Sequence, residues 1–196
     1  MREKLKEKLN SIEGVRVVLL ICIAIILIFA GMAVYKISTN ADGLDYNRIE
    51  DTEDKKVIDI TNQVAELYPI CPELLQAMVF YESSNNMSAK NGSCVGYMQV
   101  STKWHADRAK KLGVSIRDGY GNILVGTDYL YELCKKYGDV ALALMVYHGE
   151  NDAEEKEARG EISDYARKIL HLSEKLEELH GKLSTESCNS TVPKEN

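Results

Sequence analysis

The sequence predicts a mainly α-helical domain with a very small β element, attached to one N-terminal transmembrane helix. Three observations lead to this prediction. From residue 72 onward, apolar residues recur at the spacing of a buried helix face. Only one segment, "VGYMQVS" at 95–101, combines a glycine with β-prone residues as a short strand or hairpin does. Near the N-terminus, an uncharged apolar stretch is long enough to cross a bilayer.

The composition is that of one compact domain with an appendage. The chain has 196 residues, of which 45% are hydrophobic, and a formal net charge of −6. A chain of this length supports a single hydrophobic core. Because it is acidic and has no long basic run beyond its N-terminus, we expect no nucleic-acid partner. A neutral or locally recognised ligand fits this composition better.

The apolar stretch Val17–Tyr35 is flanked by Arg16 and Lys36. As a helix it would span roughly 28 Å at about 1.5 Å per residue, close to the ~30 Å hydrocarbon core of a bilayer. We therefore expect a transmembrane anchor over residues 17–37. Basic residues before it favour a cytoplasmic N-terminus at 1–16 and place the rest of the chain on the extracytoplasmic face.

The alternative for the N-terminal segment is a cleaved signal peptide. Gly31 and Ala33 are small residues at the spacing that a signal peptidase prefers. The apolar run is longer than a usual signal core and the charged segment before it is long, which favours the anchor. In the cleaved case the domain would be secreted.

Polar segments separate the predicted anchor from the folded unit and follow that unit. Residues 38–57 are rich in Asp and other polar side chains, which is typical of a linker. The folded domain is expected over 58–183, without internal repeats. Residues 184–196 are polar and are expected to form a flexible tail.

The first helix of the domain is predicted near "CPELLQAMVFYE". Pro72 suits the first turn of a helix, where its missing N–H is not needed. Leu75, Met78 and Val79 follow at helical spacing on one face. Glu82 continues that same face, so its carboxylate is expected beside the core.

Three further elements follow along the chain. A helix is predicted over Asn122–Tyr137, with Gly138 ending it. Asp139 is placed to cap the next helix, "VALALMVYHG". The last helix is expected from about Ile162, where apolar residues again recur at helical intervals.

Glu82 is the candidate functional residue that the helical pattern itself identifies. Partial burial disfavours a charged carboxylate and raises its pKa, which keeps a proton on the group near neutral pH. The other interpretation is a solvated carboxylate at an ordinary helix end. The pattern alone leaves both open.

The cysteines do not indicate a metal site or a cysteine nucleophile. Cys22 lies in the predicted membrane span. The remaining cysteines are Cys71, Cys94, Cys134 and Cys188. Four extracytoplasmic cysteines allow three full disulfide pairings, and the sequence does not choose among them. Structural disulfides or buried thiols are expected, and neither a metal nor a cofactor is predicted.

Five short motifs occur in an order that is similar to one known family. They are "ES" at 82–83, "GYMQV" at 96–100, "DGYGNILVGTDYL" at 118–130, "ALALMVYHG" at 141–149 and "EISDY" at 161–165. With these motifs the chain resembles the lytic transglycosylase domain of the soluble lytic transglycosylase (SLT) type, in the lysozyme-like superfamily. The resemblance covers about half of the chain, roughly from Leu74 to Leu170.

The resemblance implies a helical lysozyme-like fold with a saccharide cleft and an enzyme that acts on bacterial peptidoglycan. Glu82 would be the sole catalytic carboxylate. It would protonate the glycosidic oxygen between N-acetylmuramic acid and N-acetylglucosamine, and then act as base toward the sugar's own 6-hydroxyl to close a 1,6-anhydro ring. The substrate's acetamido group would stabilise the oxocarbenium-like centre in place of a second carboxylate. The implied partner is the peptidoglycan glycan strand, and no protein partner is predicted.

The resemblance also assigns substrate-binding residues near Glu82. Ser83 would hold the carboxyl group or an acetamido group, and a helix cap is its alternative role. Gln99 would bind sugar, with Tyr97 and Met98 as neighbouring cleft wall. The alternative for this segment is a hairpin held by a glycine where backbones crowd.

Three more residues match binding positions of the family. Asn122 would contact the ligand or cap its helix. Tyr147 matches a tyrosine whose hydroxyl approaches the catalytic Glu, and Tyr165 matches the tyrosine of the closing motif. Both rings could instead belong to the core. The chain departs from the family at Ile162, where Thr is usual, and at His148, where Asn is usual. We expect His148 to be a polar loop residue.

Two other functions remain open from the sequence. A hydrolase that cuts the same bond with water needs a second carboxylate, for which Asp107, Asp118 and Asp128 are available without a motif behind them. A non-catalytic glycan-binding module would keep the cleft but lose the acid. The presence of Glu82 argues against that module.

Overall fold

A computed structural model describes residues 53–182, and seven α-helices and a three-stranded sheet lie in this part of the chain. The helices are α1 (Lys55–Ala65), α2 (Pro72–Ser83), α3 (Ala106–Leu112), α4 (Gly119–Tyr137), α5 (Val140–His148), α6 (Ala153–Ala158) and α7 (Asp164–Leu179). The strands are β1 (Lys90–Asn91), β2 (Cys94–Val95) and β3 (Val100–Ser101). The prediction of a mainly helical fold with a very small β element is confirmed for these residues.

The predicted membrane anchor at 17–37 lies outside the described residues, as do the segments 1–16 and 184–196. None of the helices within 53–182 is long and apolar enough to cross a membrane. The anchor therefore stays a prediction from the sequence.

Helix α1 begins within the segment predicted as linker. The Oδ1 atom of Asp54 accepts hydrogen bonds from the backbone N–H groups of Lys56 at 2.8 Å and Val57 at 3.2 Å, which caps the helix. Val57 and Ile60 are buried against the domain. The polar composition of this segment led to the prediction of a linker, because the helix here is stabilised by tertiary burial and not by local sequence alone.

Helix α2 lies at the centre of the domain. Every residue from Glu73 to Val79 is buried, because α1 and α7 pack against this helix from two sides. A helix that is buried on all sides and mostly apolar is typical of such a central position. The predicted face of Leu75, Met78 and Val79 is therefore part of a helix buried on every side.

The remaining core comes mainly from α4, α5 and α7. The largest fully buried side chains are Leu75, Met78, Met98, Ile123, Leu130, Leu144, Met145, Ile169, Leu172 and Leu176. Helix α4 packs against α5 and α1, and α5 packs against α7. This packing joins the helices into one core and brings the ends of α2, α5 and α7 together.

Helix α4 begins three residues before the predicted start. Asp118 is its N-cap, and its Oδ1 atom accepts a hydrogen bond from the N–H of Gly121 at 2.7 Å. A Cβ atom at Gly121 would lie 2.1 Å from the carbonyl oxygen of Ser115, so only glycine fits in this first turn. The predicted stop at Gly138 is confirmed, with a left-handed φ of 66°.

Helices α5 and α7 begin with side-chain caps. Asp139 accepts a hydrogen bond from the N–H of Leu142 at 2.7 Å, which confirms its predicted capping role. Ser163 caps α7 by accepting from the N–H of Ala166 at 3.2 Å. Helix α7 thus begins at Asp164, close to the predicted Ile162, and places Tyr165 in its first turn.

The sheet is a small antiparallel hairpin structure in the order β1–β2–β3. The predicted "VGYMQVS" hairpin is confirmed, with Val95 paired to Val100. Its turn uses left-handed backbone at Gly96, with φ 78°, and at Gln99, with φ 44°. The N–H of Gln99 donates to the carbonyl of Gly96 at 3.2 Å and closes the turn.

The described cysteines are of two kinds. Cys71 is disulfide-bonded. Cys94 and Cys134 are free thiols. Burial raises the pKa of Cys134 to about 12, so this thiol is unreactive. No group of residues within 53–182 has the composition of a metal site.

A charged cluster joins the two ends of the described chain. The Glu73 side chain is 2% exposed and contacts His180 Nδ1 at 2.8 Å and Lys182 Nζ at 2.7 Å. His180 Nε2 contacts Glu53 Oε1 at 2.9 Å. Burial alone would raise the pKa of Glu73, but the hydrogen bonds from Lys182 and His180 outweigh it and lower that pKa.

The same contacts raise the pKa of His180. Burial alone would lower it, and the hydrogen bonds to Glu73 and Glu53 outweigh that effect. A histidine whose pKa is higher in the folded state stabilises the fold fully below its unfolded pKa, and this stabilisation is lost as pH rises through the folded pKa.

We predict that His180→Ala lowers the free energy of unfolding by about 1–2 kcal/mol near pH 6 and by less near pH 8. His180→Gln keeps hydrogen-bonding atoms at this position but does not titrate, and serves as the matched control. Chemical denaturation of the three proteins across this pH range measures the effect. An equal loss at both pH values would contradict the role of the charged imidazole.

Candidate active site

Glu82 lies in the last turn of α2, at the edge of an open groove of about 640 Å³. The groove is formed by the end of α2, the hairpin and the end of α5, and we call it the Glu82 groove. Its walls include Lys90, Gln99, Tyr147 and His148. The central helix thus carries one carboxylate from the core to the surface of a cleft.

The hydroxyl of Tyr165 donates a hydrogen bond to Oε1 of Glu82. Burial is the largest influence on this carboxyl group and raises its pKa. The Tyr165 hydrogen bond and the nearby His148 act in the opposite direction, and the net pKa stays above the ordinary value. Glu82 therefore holds its proton to a higher pH than a solvated Glu, as a general acid requires.

Tyr147 lines the groove, but its hydroxyl bonds elsewhere. It donates to the backbone carbonyl of Met98 at 2.9 Å. Tyr147 and Glu82 line the same groove and interact electrostatically, in keeping with the expected approach of this hydroxyl to Glu82, but the hydrogen bond to Glu82 comes from Tyr165. Burial and the charge of Glu82 both raise the pKa of Tyr147, so its hydroxyl remains a neutral donor.

A glycine allows this close arrangement of α4, α5 and the hairpin. A Cβ atom at Gly126 would lie 2.8 Å from Sδ of Met98 and 2.9 Å from the hydroxyl oxygen of Tyr147. Any side chain at this position would displace the floor beneath the groove. Gly126 therefore fixes the distance between α4 and the Tyr147–Met98 contact.

Gln99 lies in the groove wall opposite α2. Its Nε2 atom donates to the carbonyl oxygens of Gly96 at 2.9 Å and Ala89 at 3.2 Å. These two bonds hold the side chain and use its donor atoms. Its Oε1 atom is the group that an N–H or hydroxyl of a ligand could reach.

Left-handed backbone is concentrated around the groove. Within residues 53–182, the non-glycine residues with positive φ are Ser84, Asn85 and Gln99. The first two follow α2 directly after Glu82 and Ser83, and Gln99 lies in the facing wall. Residues held in such conformations cluster at functional sites, where the surrounding structure maintains them.

Ser83 lines the groove beside Glu82. Its hydroxyl donates to the carbonyl of Val79 at 3.0 Å, one turn back in α2. The helix cap expected as its alternative role is supplied by Ser84 instead. The hydroxyl oxygen of Ser83 keeps acceptor capacity toward the groove.

Three of the predicted binding residues lie beneath the groove rather than in its wall. Tyr97 is 4% exposed, and Met98 and Asn122 are fully buried. The expectation that Tyr97 and Met98 form the cleft wall does not match this placement. Their side chains fill the core behind the hairpin, where apolar burial is most favourable.

Asn122 holds the hairpin against α4. Its Nδ2 atom donates to the carbonyls of Val95 at 2.8 Å and Ile116 at 2.9 Å, and its Oδ1 atom accepts from the N–H of Met98 at 2.8 Å. This amide is therefore neither a helix cap nor in contact with the groove. Its contribution to the site is to position the turn that carries Gln99.

Several groove residues, including His148 and Cys94, were not predicted as part of the site. The His148 ring stacks on Tyr165, with centroids 3.9 Å apart and an interplanar angle of 16°. The sequence did hold a signal for His148, because this histidine departs from the family pattern and directly follows Tyr147. Cys94 also lines the groove as a half-buried free thiol, and no sequence pattern pointed to it.

The fold and the site together define a helical domain with one partly buried carboxylate in a polar groove, as in enzymes that cleave glycosidic bonds by acid–base catalysis. The family model of the transglycosylase SLT domain matches residues 59–168, more than half of the chain. The chain belongs to this family. Its members are lytic transglycosylases of the lysozyme-like superfamily that act on glycosidic bonds of peptidoglycan, which confirms the resemblance found in the motifs.

We predict that Tyr165→Phe shifts the alkaline limb of the pH–rate profile to higher pH. Loss of a hydrogen bond to the charged carboxylate raises the pKa of Glu82 further, so the acid form persists to higher pH. The maximal rate should fall by about tenfold to a hundredfold, since the carboxylate loses a group that orients it.

Tyr147→Phe is the matched control for this substitution. It also removes one tyrosine hydroxyl from the groove, but that hydroxyl donates to Met98 and not to Glu82. The alkaline limb should then stay in place. Measuring kcat/KM against pH for both variants separates the cases, and equal shifts in both would refute the specific role of Tyr165.

Proposed function

We propose that this protein is a membrane-anchored lytic transglycosylase in which Glu82 acts first as acid and then as base. The bond cleaved is the β-1,4 linkage between N-acetylmuramic acid and N-acetylglucosamine, and the product carries a 1,6-anhydro ring. The observation that carries the proposal is that Glu82, held by Tyr165, is the one carboxylate among the described residues that line its groove.

The other acidic candidates support a single-carboxylate mechanism by their positions. Asp118 caps α4 through its contact with the N–H of Gly121. Asp128 is bonded to Arg108 and to the hydroxyl of Tyr68. Neither these residues nor Asp107 line the Glu82 groove. A water-activating base on the opposite face of the sugar, as a hydrolase needs, is thus not supplied by the candidates that the sequence offered.

The first half of the reaction breaks the glycosidic bond. Protonated Glu82 gives its proton to the bridging oxygen, and the C1–O bond breaks as the N-acetylglucosamine part leaves with that proton. The substrate's own acetamido oxygen stabilises the positive charge at C1. The Tyr165 hydroxyl donates to one oxygen of the new carboxylate, which leaves the second oxygen for the reacting atoms.

The second half of the reaction closes the ring. The Glu82 carboxylate takes the proton of the 6-hydroxyl, and the O6–C1 bond forms. Glu82 then carries a proton again, and no water is consumed. One group can act in both steps because departure and attack occur in sequence at the same position. Gln99 and Ser83 would orient the sugar through their acceptor oxygens.

We predict that Glu82→Gln reduces the release of anhydro-muropeptides by about a hundredfold to ten-thousandfold. The amide keeps nearly the same shape and can still accept the Tyr165 hydrogen bond, but it carries no proton to transfer. Mass spectrometry of soluble fragments from purified peptidoglycan measures both rate and product, since an anhydro end lacks one water relative to a reducing end. Asp107→Asn, outside the groove, is the matched control and should retain activity.

The stability of this variant is part of the same test. The pKa of Glu82 is raised in the folded state, so wild-type stability falls as pH rises from the ordinary Glu pKa through the folded pKa. Glu82→Gln should therefore melt at or above the wild-type temperature at neutral pH and lose this advantage in acid.

Two outcomes would contradict the proposed reaction. Reducing-end products from the wild type would establish the hydrolase instead. Undiminished anhydro release by the variant would defeat the role of Glu82.

The proposed anchor at 17–37 is supported by the uncharged stretch at 17–35 and the basic residues before it. We predict that protease added to intact spheroplasts removes the catalytic domain while a cytoplasmic marker protein stays whole. Protection of the domain until the membrane is opened would overturn this orientation. Release of the domain into the medium without protease would favour the cleaved signal peptide.

A further inference from the structure

A second groove, of about 460 Å³, lies between α3 and α4. Its walls include Trp104, His105, Arg108, Lys111, Asp128 and Glu132, and we call it the Trp104 groove. None of these residues takes part in the reaction proposed above. The question is which ligand this combination of side chains would bind.

Trp104 is the sole tryptophan of the chain and is 74% exposed. The ammonium group of Lys103 lies 4.8 Å from the centre of its ring. A large aromatic ring left in water forgoes the free energy of burial, and such rings are frequent in binding sites, where a ligand covers the apolar face. A ring of this size offers a flat platform for the apolar face of another ring.

The polar groups beside Trp104 are held in fixed positions. Arg108 bridges Asp128 and Glu132, with its Nη2 atom 2.5 Å from Oε2 of Glu132. The hydroxyl of Tyr68 donates to Oδ1 of Asp128 at 2.8 Å. Donor and acceptor atoms that their neighbours already orient lose little freedom when a ligand binds.

The formal charges of the residues that line this groove cancel. Arg108 and Lys111 are balanced by Asp128 and Glu132. Burial and the nearby Arg108 charge lower the pKa of His105, so its imidazole is neutral at physiological pH. The lining residues offer many hydrogen-bonding groups and no net charge, and Lys103 adds one positive charge beside the Trp104 ring. This balance favours an uncharged polar ligand over a densely charged polymer.

A row of aromatic rings connects the two grooves. The His105 ring lies 4.5 Å from that of Tyr129, and Tyr129 lies 5.4 Å from Tyr147. His105 lines the Trp104 groove and Tyr147 lines the Glu82 groove. Neighbouring aromatic rings therefore link one residue of each groove.

We propose that the Trp104 groove is a second saccharide site, in which Trp104 stacks on an uncharged pyranose and the Arg108–Asp128–Glu132 cluster bonds its hydroxyl groups. Resting on the function proposed above, this site would hold an N-acetylglucosamine-type sugar of the same glycan strand, away from the bond that Glu82 cleaves. It would strengthen binding of long strands without entering the chemical step.

The intrinsic fluorescence of Trp104 tests this proposal directly, because the chain has no other tryptophan. The full-length Glu82→Gln protein is titrated with chito-oligosaccharides of increasing length, which carry no peptide and no charge. The emission should change in a saturable way, and longer oligomers should saturate it at lower concentration than chitobiose does.

Kinetics on peptidoglycan supply an independent readout in the otherwise wild-type chain. Trp104→Ala should raise KM about fivefold to tenfold with kcat nearly unchanged, and Trp104→Phe should restore most of the loss. Glu132→Gln, which removes one acceptor from the groove, should raise KM in the same direction. Leu67→Ala removes another exposed apolar side chain, 60% exposed on the turn after α1, and should change neither constant.

The possible results of these experiments test the second saccharide site and the proposed reaction independently of each other. Normal release of anhydro-muropeptides together with unchanged Trp104 emission and unchanged KM in Trp104→Ala would overturn the second site and leave the activity standing. A saccharide-dependent emission change without anhydro products would support the site and refute the reaction. An emission shift with phosphatidylglycerol vesicles or free stem peptide, but not with chito-oligosaccharides, would assign the groove to that ligand and overturn the proposal.

Discussion

The antiparallel contact between α2 and α7 is the constraint on which the site depends. Helix α2 carries one carboxylate at each end, Glu73 in its first turn and Glu82 in its last. Each is held by a residue at the facing end of α7 or just after it. His180 reaches Glu73 and Tyr165 reaches Glu82. The pairing that buries the central helix therefore also fixes both of its carboxylates.

These two carboxylates are perturbed in opposite directions. Glu73 lies at a helix N-terminus, where an anion is favoured, and two cationic side chains lower its pKa despite burial. Glu82 lies at the C-terminus of the same helix, where the dipole disfavours an anion, and it receives a neutral hydroxyl rather than an ion pair. Burial then raises its pKa. One helix thus supplies an anion that pairs with His180 and Lys182 and a carboxyl group with a raised pKa that faces the groove.

Local sequence patterns predicted those parts of the site that lie within one element. Helical spacing placed Glu82 beside the core, and the glycine and β-prone residues predicted the hairpin. The partners of Glu82, Asn122 and Tyr147 could not be predicted in this way, because they are set by packing between distant segments. The hydrogen bond from Tyr165 to Glu82 spans 83 residues. Motif matching identified both tyrosines but did not show that Tyr165 is the one that donates a hydrogen bond to Glu82.

Some motif residues are buried and do not line the groove. They hold in place the residues that do. Asn122 satisfies three backbone groups and so holds the "GYMQ" turn in the one arrangement that orients Gln99. Met98 offers its carbonyl to Tyr147, and Gly126 lets these groups approach. In the proposed mechanism a single group acts as acid and then as base, and no second carboxylate would compensate for its displacement. The catalytic groove therefore depends on these buried contacts as much as on the residues in its wall.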